Sequence, residues 1–176
     1  MKIIPTEIDG VYVVELEPHH DDRGHFARAW CHAEFAAVGI SADFVQMNLA
    51  SSHRAGTLRG LHFQQEPFWE QKLVRCIQGR AFVVAVDVRP NSPTHRKWVG
   101  VELRDDHRHA LFVGRGCAQG YQTLEDQTTL LYLMSEFYHP ESSAGWSHCD
   151  PAFAITWPLP VSAISPQDLR WSSYQN

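Results

Sequence analysis

Residues 72–89, KLVRCIQGRAFVVAVDVR, hold two runs of β-branched and aromatic side chains that meet at Gln78-Gly79-Arg80. Two such runs with glycine at the joint read as strands connected by a tight hairpin. In the first run, alternation sets Lys72 on one face with Val74 and Cys76, a face apolar enough to be internal. An internal lysine is costly to bury unless it is paired or used. The segment that announces a β protein therefore also nominates a functional side chain.

The same signals recur along the chain. GVYVVELEP, DFVQMNLASS, TLRGLHFQ, WVGVELRDD, HALFVGRG, GYQTLED and TTLLYLMSEFY are short and strand-like, and Gly, Pro, Asn or Asp stands between most of them. Helical patterns are limited to CHAEFAAVG (31–39) and SPQDLRW (165–171). Many short strands with regular turns predict an all-β antiparallel sandwich or barrel with a few short helices. No repeat or linker interrupts the 176 residues, which predicts one domain over 1–176.

Composition narrows the function classes. Hydrophobic residues make up 44% of the chain, with six Trp, nine Phe and five Tyr, so it should bury a core. A net charge of -5 argues against a broad nucleic-acid surface but leaves room for a local phosphate pocket. The N-terminus lacks a signal-peptide core and no run reaches the ~20 apolar residues of a membrane span. Cys31, Cys76, Cys117 and Cys149 are scattered, which fits reduced thiols. Together these predict a cytoplasmic protein without membrane or nucleic-acid partners.

TLRGLHFQ (57–64) places a lone histidine in a strand. A regular strand sets Leu58, His62 and Gln64 on one face and Arg59 on the other; Gly60 between them is a candidate bulge that would bring both inward. In LLYLMSEFY, Tyr132, Met134 and Tyr138 share a face if the strand is regular. An internal histidine in a small double-sheet barrel suggests a cupin-like jelly roll, where metal-binding members carry further ligands. Here Gln64 and Gln119 stand where ligands would be needed, and an amide is a poor substitute for imidazole at a transition metal. His107 with His109, and the run His19–Asp22, read as solvated turns. The sequence predicts no metal.

DDRGHF (21–26), FVQMNLASS (44–52), LRGLHFQ (58–64), EQKLVRCIQGRAFVVAVDVRPNSPTHRKWVGVEL (70–103), GCAQGYQTLED (116–126), YLMSEFYHPE (132–141), CDPAFAITWP (149–158) and ISPQD (164–168) follow in order. With these motifs the chain resembles, over nearly its whole length, the nucleoside-diphospho-4-keto-6-deoxysugar 3,5-epimerases, the dTDP-4-dehydrorhamnose 3,5-epimerase family. The resemblance implies a cupin-like jelly-roll barrel and a homodimer that exchanges N-terminal segments. It also implies catalysis with no cofactor on a nucleoside-diphosphate sugar in deoxysugar biosynthesis.

Inverting a carbon beside a ketone needs a base on one face, a stabiliser for the enolate oxygen and an acid on the opposite face. The resemblance implies His62 as base, Asp168 as its carboxylate partner, Lys72 at the carbon-4 oxygen and Tyr132 as acid. It implies Arg59 at the diphosphate, Tyr138 in the sugar pocket, and Gln46 and Asn48 near the nucleotide. Arg23 and Phe26 would reach the nucleotide from the partner's exchanged segment.

Two positions depart from the family pattern. Arg28 stands where the family usually has Glu, a donor-only group in place of an acceptor, which makes cytidine or guanosine carriers credible. Gln119 stands where a second histidine is usual; an amide holds a hydrogen bond but does not titrate. Three outcomes stay open on this scaffold: epimerisation at carbons 3 and 5, a narrower one-carbon epimerase or ketoisomerase, and a non-catalytic sugar-nucleotide-binding barrel.

Overall fold

The computed structural model describes residues 1–174. In chain order the strands are β1 (Lys2–Pro5), β2 (Val11–Glu15), β3 (His19–Asp21), β4 (Gly24–Phe26), β5 (Gln46–Ser52), β6 (Thr57–Gln64), β7 (Lys72–Gln78), β8 (Arg80–Asp87), β9 (Trp98–Arg104), β10 (His109–Val113), β11 (Cys117–Thr123), β12 (Thr128–Met134), β13 (Ser143–Gly145) and β14 (Ala163–Ile164). One helix, α1 (His32–Ala37), and two single 3₁₀ turns, Pro140–Ser142 and Asp168–Arg170, complete the elements.

Two sheets face each other in a cupin-like jelly roll. The first has the order β1-β2-β10-β7-β12-β5, the second β13-β6-β11-β8-β9, with β14 added to β6. Every pairing is antiparallel except the two-residue β14–β6 ladder. The ribbon β3–β4 stands apart from both sheets.

The strands of residues 72–89 do not form the hairpin that their sequence suggests. β7 lies between β10 and β12 in the first sheet, and β8 between β11 and β9 in the second. The turn at Gly79 is a corner that carries the chain from one sheet to the other. Gly79 has φ +74, and a Cβ there would lie 2.7 Å from Thr128 Oγ1, so glycine alone fits. The corner is held from outside: the Gly79 N–H donates to Asp105 Oδ2 at 2.9 Å, and Thr128 Oγ1 donates to the Arg80 carbonyl at 3.1 Å.

Three apolar layers explain why AFVVAV reads as an unbroken hydrophobic run rather than an alternating one. Between the sheets, Val74, Cys76, Leu111, Val113 and Leu130 meet Ala81, Val83, Ala85, Leu103 and Tyr121. Outside the first sheet, Phe35 of α1 packs on Val14, Leu73, Ala110 and Phe112. Outside the second, Val84, Val86 and Leu61 are covered by Phe153, Trp146, Trp157 and Tyr174 from the C-terminal segment. A strand covered on both faces loses its period-two pattern. Burying a side chain of this size is worth about 1.5–3 kcal/mol, so the covering segments stabilise the second sheet as well as closing it.

One further expectation changes: His19–Asp21 forms β3, half of an exposed polar ribbon, not a turn. His109 opens β10 as the run HALFVGRG suggests, while His107 stays in the turn before it.

Candidate active site

A cavity of about 710 Å³ opens between the sheets. Its walls come from β5, β7 and β12 on one side and from β6 and β11 on the other, and the segment 163–168 closes one flank. His62, Lys72, Tyr132, Asp168, Arg59, Tyr138, Gln119, Gln46 and Asn48 all line it.

The joint presence of Arg59 and His62 has a local cause. Gln119 pairs with His62 and Tyr121 with Arg59, so three steps along β6 oppose two along β11. The extra residue at Gly60–Leu61 is a bulge, and it undoes the alternation that would have sent Arg59 away. A Cβ on Gly60 would lie 2.5 Å from Gly120 Cα, so the bulge needs glycine where the two backbones meet. The Arg59 guanidinium donates to the Ser51 carbonyl at 3.0 Å, which fixes it at the cavity edge.

His62 and Asp168 are 106 residues apart, yet His62 Nε2 lies 2.6 Å from Asp168 Oδ1. Asp168 sits at the start of the 3₁₀ turn, where residues i and i+3 eclipse. Trp171 therefore reaches back, and its Nε1–H donates to the same carboxylate oxygen at 3.3 Å. The Asp168 N–H donates to Ser165 Oγ at 3.0 Å and anchors the turn. Burial pushes the Asp168 carboxyl up, but bonds from His62, Ser165 and the Gly60 backbone outweigh it and hold the group below the usual carboxylate range. A carboxylate at that distance is matched to a proton carried on Nε2, the tautomer that keeps the Nδ1 lone pair available.

Lys72 is 6% exposed and pairs with Glu70, its Nζ 2.8 Å from Glu70 Oε1. The same ammonium lies 3.4 Å from the His62 carbonyl, so it is tied to both sheets. Tyr132, next to β7 in the ladder, has its phenol pushed up by burial, drawn down by the Arg59 cation and raised again by Glu70. Gln46 and Asn48 bond to each other at 3.1 Å, and Asn48 Nδ2 approaches Met134 Sδ at 3.3 Å.

Tyr138 reaches the cavity by a route other than strand alternation. β12 ends at Met134, and the Ser135 N–H still bonds to the Gln71 carbonyl in line with the β7 ladder before the chain leaves the sheet. The following loop is clamped by Gln64, whose Nε2 donates to the Phe137 carbonyl at 3.0 Å while its Oε1 accepts from the His139 N–H at 2.6 Å. Arg23, Phe26 and Arg28 do not join the cavity of their own chain. Arg23 pairs with Asp21 at 2.6 Å and Phe26 is 70% exposed, both on the ribbon, while Arg28 pairs with Glu34 at 2.8 Å.

Glu70, Trp171, Ser165 and Gln64 take part in the site without standing out as functional residues in the sequence. Spacing offers a signal for two of them: Glu70 precedes Lys72 by two residues, and Trp171 follows Asp168 by three. Among the described residues, no three His, Cys, Asp or Glu side chains come together as a metal-binding group. No helix among them is long and apolar enough to cross a membrane.

Comparison with known proteins places the chain in a family. The family model for dTDP-4-dehydrorhamnose 3,5-epimerase matches residues 5–176. A dTDP-4-dehydrorhamnose 3,5-epimerase of Methanothermobacter thermautotrophicus is 42% identical over 173 residues, which is 97% of this chain and 92% of that protein. A dTDP-4-dehydrorhamnose 3-epimerase of Streptomyces niveus is 38% identical over 96% of this chain and 81% of its own. The crystal structure of the Bacillus anthracis 3,5-epimerase, with TDP and PPi bound, superposes with a TM-score of 0.95 at 34% identity, covering 98% of this chain and 99% of that one. The chain belongs to the dTDP-4-dehydrorhamnose 3,5-epimerase family, whose members are isomerases.

Proposed function

We propose that the protein epimerises a nucleoside-diphosphate-linked 4-keto-6-deoxysugar at carbon 3, carbon 5 or both, in deoxysugar biosynthesis. One observation carries the mechanism: His62 stands on the second sheet with Asp168 of the flanking 3₁₀ turn behind it, Tyr132 stands on the facing sheet, and Lys72 is one step diagonally from Tyr132 on the adjacent strand β7. A planar enolate held between the sheets meets a base on one face and an acid on the other.

His62 takes the proton from the carbon beside the ketone, and the Asp168 carboxylate stabilises the imidazolium that results. The carbon–hydrogen electron pair moves into the ring and leaves negative charge on the carbon-4 oxygen, next to the Lys72 ammonium. Fixed charge in a water-poor cavity acts more strongly there than in bulk solvent. Tyr132 gives its proton to the opposite face, and solvent restores both groups. Arg59 holds the diphosphate, as a guanidinium fork suits phosphate oxygens. Tyr138, Gln119, Gln46 and Asn48 line the sugar and the approach to the nucleotide.

A homodimer is part of this reading. β5 is an edge strand, and its Met47 and Leu49, with Val45 just before it, are exposed, as is Ile77 on β7. Such an apolar edge favours a covering partner. The free ribbon with Arg23 and Phe26 then has a partner cavity to reach, and Arg28 follows close behind it. The four cysteines stand as free thiols, in keeping with a reducing cytoplasm.

The test is deuterium wash-in from heavy water with a panel of 4-keto nucleotide sugars that differ in base and sugar, read by magnetic resonance. Label is expected at carbon 3, carbon 5 or both. His62→Ala should cut it by about 10²- to 10⁴-fold, the range of general-base catalysis. No label with any sugar would sink the enzyme reading in favour of a binding barrel.

A further inference from the structure

The mechanism gives no task to a buried carboxylate that lines the cavity, Glu70. Glu70 is 7% exposed and lines the cavity, and only its Oε1 is engaged, by Lys72 at 2.8 Å. Its other oxygen, Oε2, is buried with no hydrogen-bond partner among the described residues. A carboxylate oxygen that has lost water and found no donor is an expensive feature to keep. The last torsion of a glutamate is soft and nearly two-fold, so either oxygen can turn to the cavity.

An ammonium and a carboxylate side by side offer a donor next to an acceptor. The complementary group is a ketone with a hydroxyl on the adjacent carbon: the carbonyl oxygen accepts from the ammonium, and the hydroxyl donates to the carboxylate. Lys72 alone would recognise any ketone. The pair distinguishes a hydroxy ketone from a plain one. A 4-keto hexose with a hydroxyl on carbon 3 presents this edge.

We propose that Glu70 is a specificity-determining residue that accepts a hydrogen bond from the substrate hydroxyl next to the ketone bound by Lys72. This rests on the epimerase reading of the cavity. It gives the unpartnered oxygen a donor that arrives with the substrate. A sugar lacking that hydroxyl would leave Oε2 buried without a donor, which sites of this kind discriminate against strongly.

The test compares a nucleotide-linked 4-keto-6-deoxyhexose with its 3-deoxy analogue, scoring deuterium wash-in at carbon 5, which both possess. Discrimination is the ratio of the two kcat/KM values. In Glu70→Ala that ratio should fall about tenfold or more, the weight of a hydrogen bond to a charged group. An equal loss on both sugars would mean that Glu70 only props Lys72, and would overturn the proposal, as would an unchanged ratio. Glu70→Gln keeps the size and one acceptor oxygen but removes the charge, so a smaller fall is expected, about threefold. If circular dichroism shows the alanine variant unfolded, the glutamine variant decides, and an unchanged ratio there overturns the proposal. Wild-type protein inactive on every 4-keto sugar would defeat the epimerase reading and this proposal together. An active wild type with an unmoved ratio defeats only the role of Glu70.

Discussion

Asp87 and Asp168 are both buried aspartates, 0% and 4% exposed, and both are held below the usual carboxylate range. Their partners separate them. At Asp87 burial pushes the pKa up, and bonds from Arg89, Ser92 and Thr94 outweigh it and bring the group to about 2. Arg89 Nε donates to Oδ1 at 2.8 Å, and Ser92 and Thr94 donate to Oδ2 at 2.5 and 2.7 Å. All of these donors lie within seven residues, so the carboxylate serves its own loop. Asp168 instead reaches across 106 residues to a half-exposed histidine at the cavity wall. A buried, ionised carboxylate is not in itself a mark of function; a partner that can exchange a proton with substrate is.

The comparison breaks most visibly if the two residues are neutralised in turn. Asp168→Asn keeps the size of the side chain but removes the charge that, in the proposed mechanism, stabilises the imidazolium. Deuterium wash-in should drop by about 10²-fold or more, mainly in kcat, because the imidazolium forms only along the reaction. A change confined to KM would show instead that Asp168 shapes the pocket rather than assisting the base.

Asp87→Asn should act on stability alone. Asp87 has its folded pKa depressed, so its contribution is present above the ordinary carboxylate value near about 4 and is lost as pH falls toward about 2. The shift corresponds to about 2 kcal/mol as an upper figure, since Arg89 is partly solvated. Denaturant unfolding at pH 7 should show a loss of about 2–4 kcal/mol, including the orphaned donors, with wash-in by folded protein within about twofold of wild type. The wild-type and variant curves should converge as pH falls from about 4 to about 2. Parallel curves through that window would remove Asp87 as the titrating group.

The same contrast explains what the sequence reveals. β6 is legible to the residue, Thr57–Gln64, because its apolar residues sit between strong turn signals. The corner at Gly79 is not, since a tight turn looks the same locally whether its strands pair or part. Their pairing with β10, β12, β11 and β9 depends on contacts far along the chain. β3 and β4 carry no apolar alternation because both faces of the ribbon meet solvent, and β13 and β14 exist only through their ladders to β6. At the site, Lys72 is visible from alternation and Gly60 from its place in a strand. Asp168 and Tyr132 are visible only through resemblance, because nothing local ties either to His62. Tyr138 arrives at the cavity through the Gln64 clamp, a tertiary contact that no period can signal.

The subtlest test concerns the residue directly across the ladder from His62. Gln119 pairs with His62, is 9% exposed and lines the cavity one step before the register shift that admits Arg59. Its amide can donate and accept but cannot carry a proton away, so under the proposed mechanism its part is to orient the sugar and not to join the proton transfers. An imidazole there would stand next to the base on the same wall and offer a second titrating donor to the ring. Gln119→His should therefore leave overall wash-in within about tenfold and shift the ratio of label at carbon 3 to label at carbon 5 by about 2- to 10-fold, the weight of one hydrogen bond gained or moved. The ratio is the informative quantity, because a general disturbance of the pocket lowers both carbons alike. An unmoved ratio would mean that the amide already makes the bond a histidine would make, and that the choice between the two carbons is set elsewhere on the cavity wall.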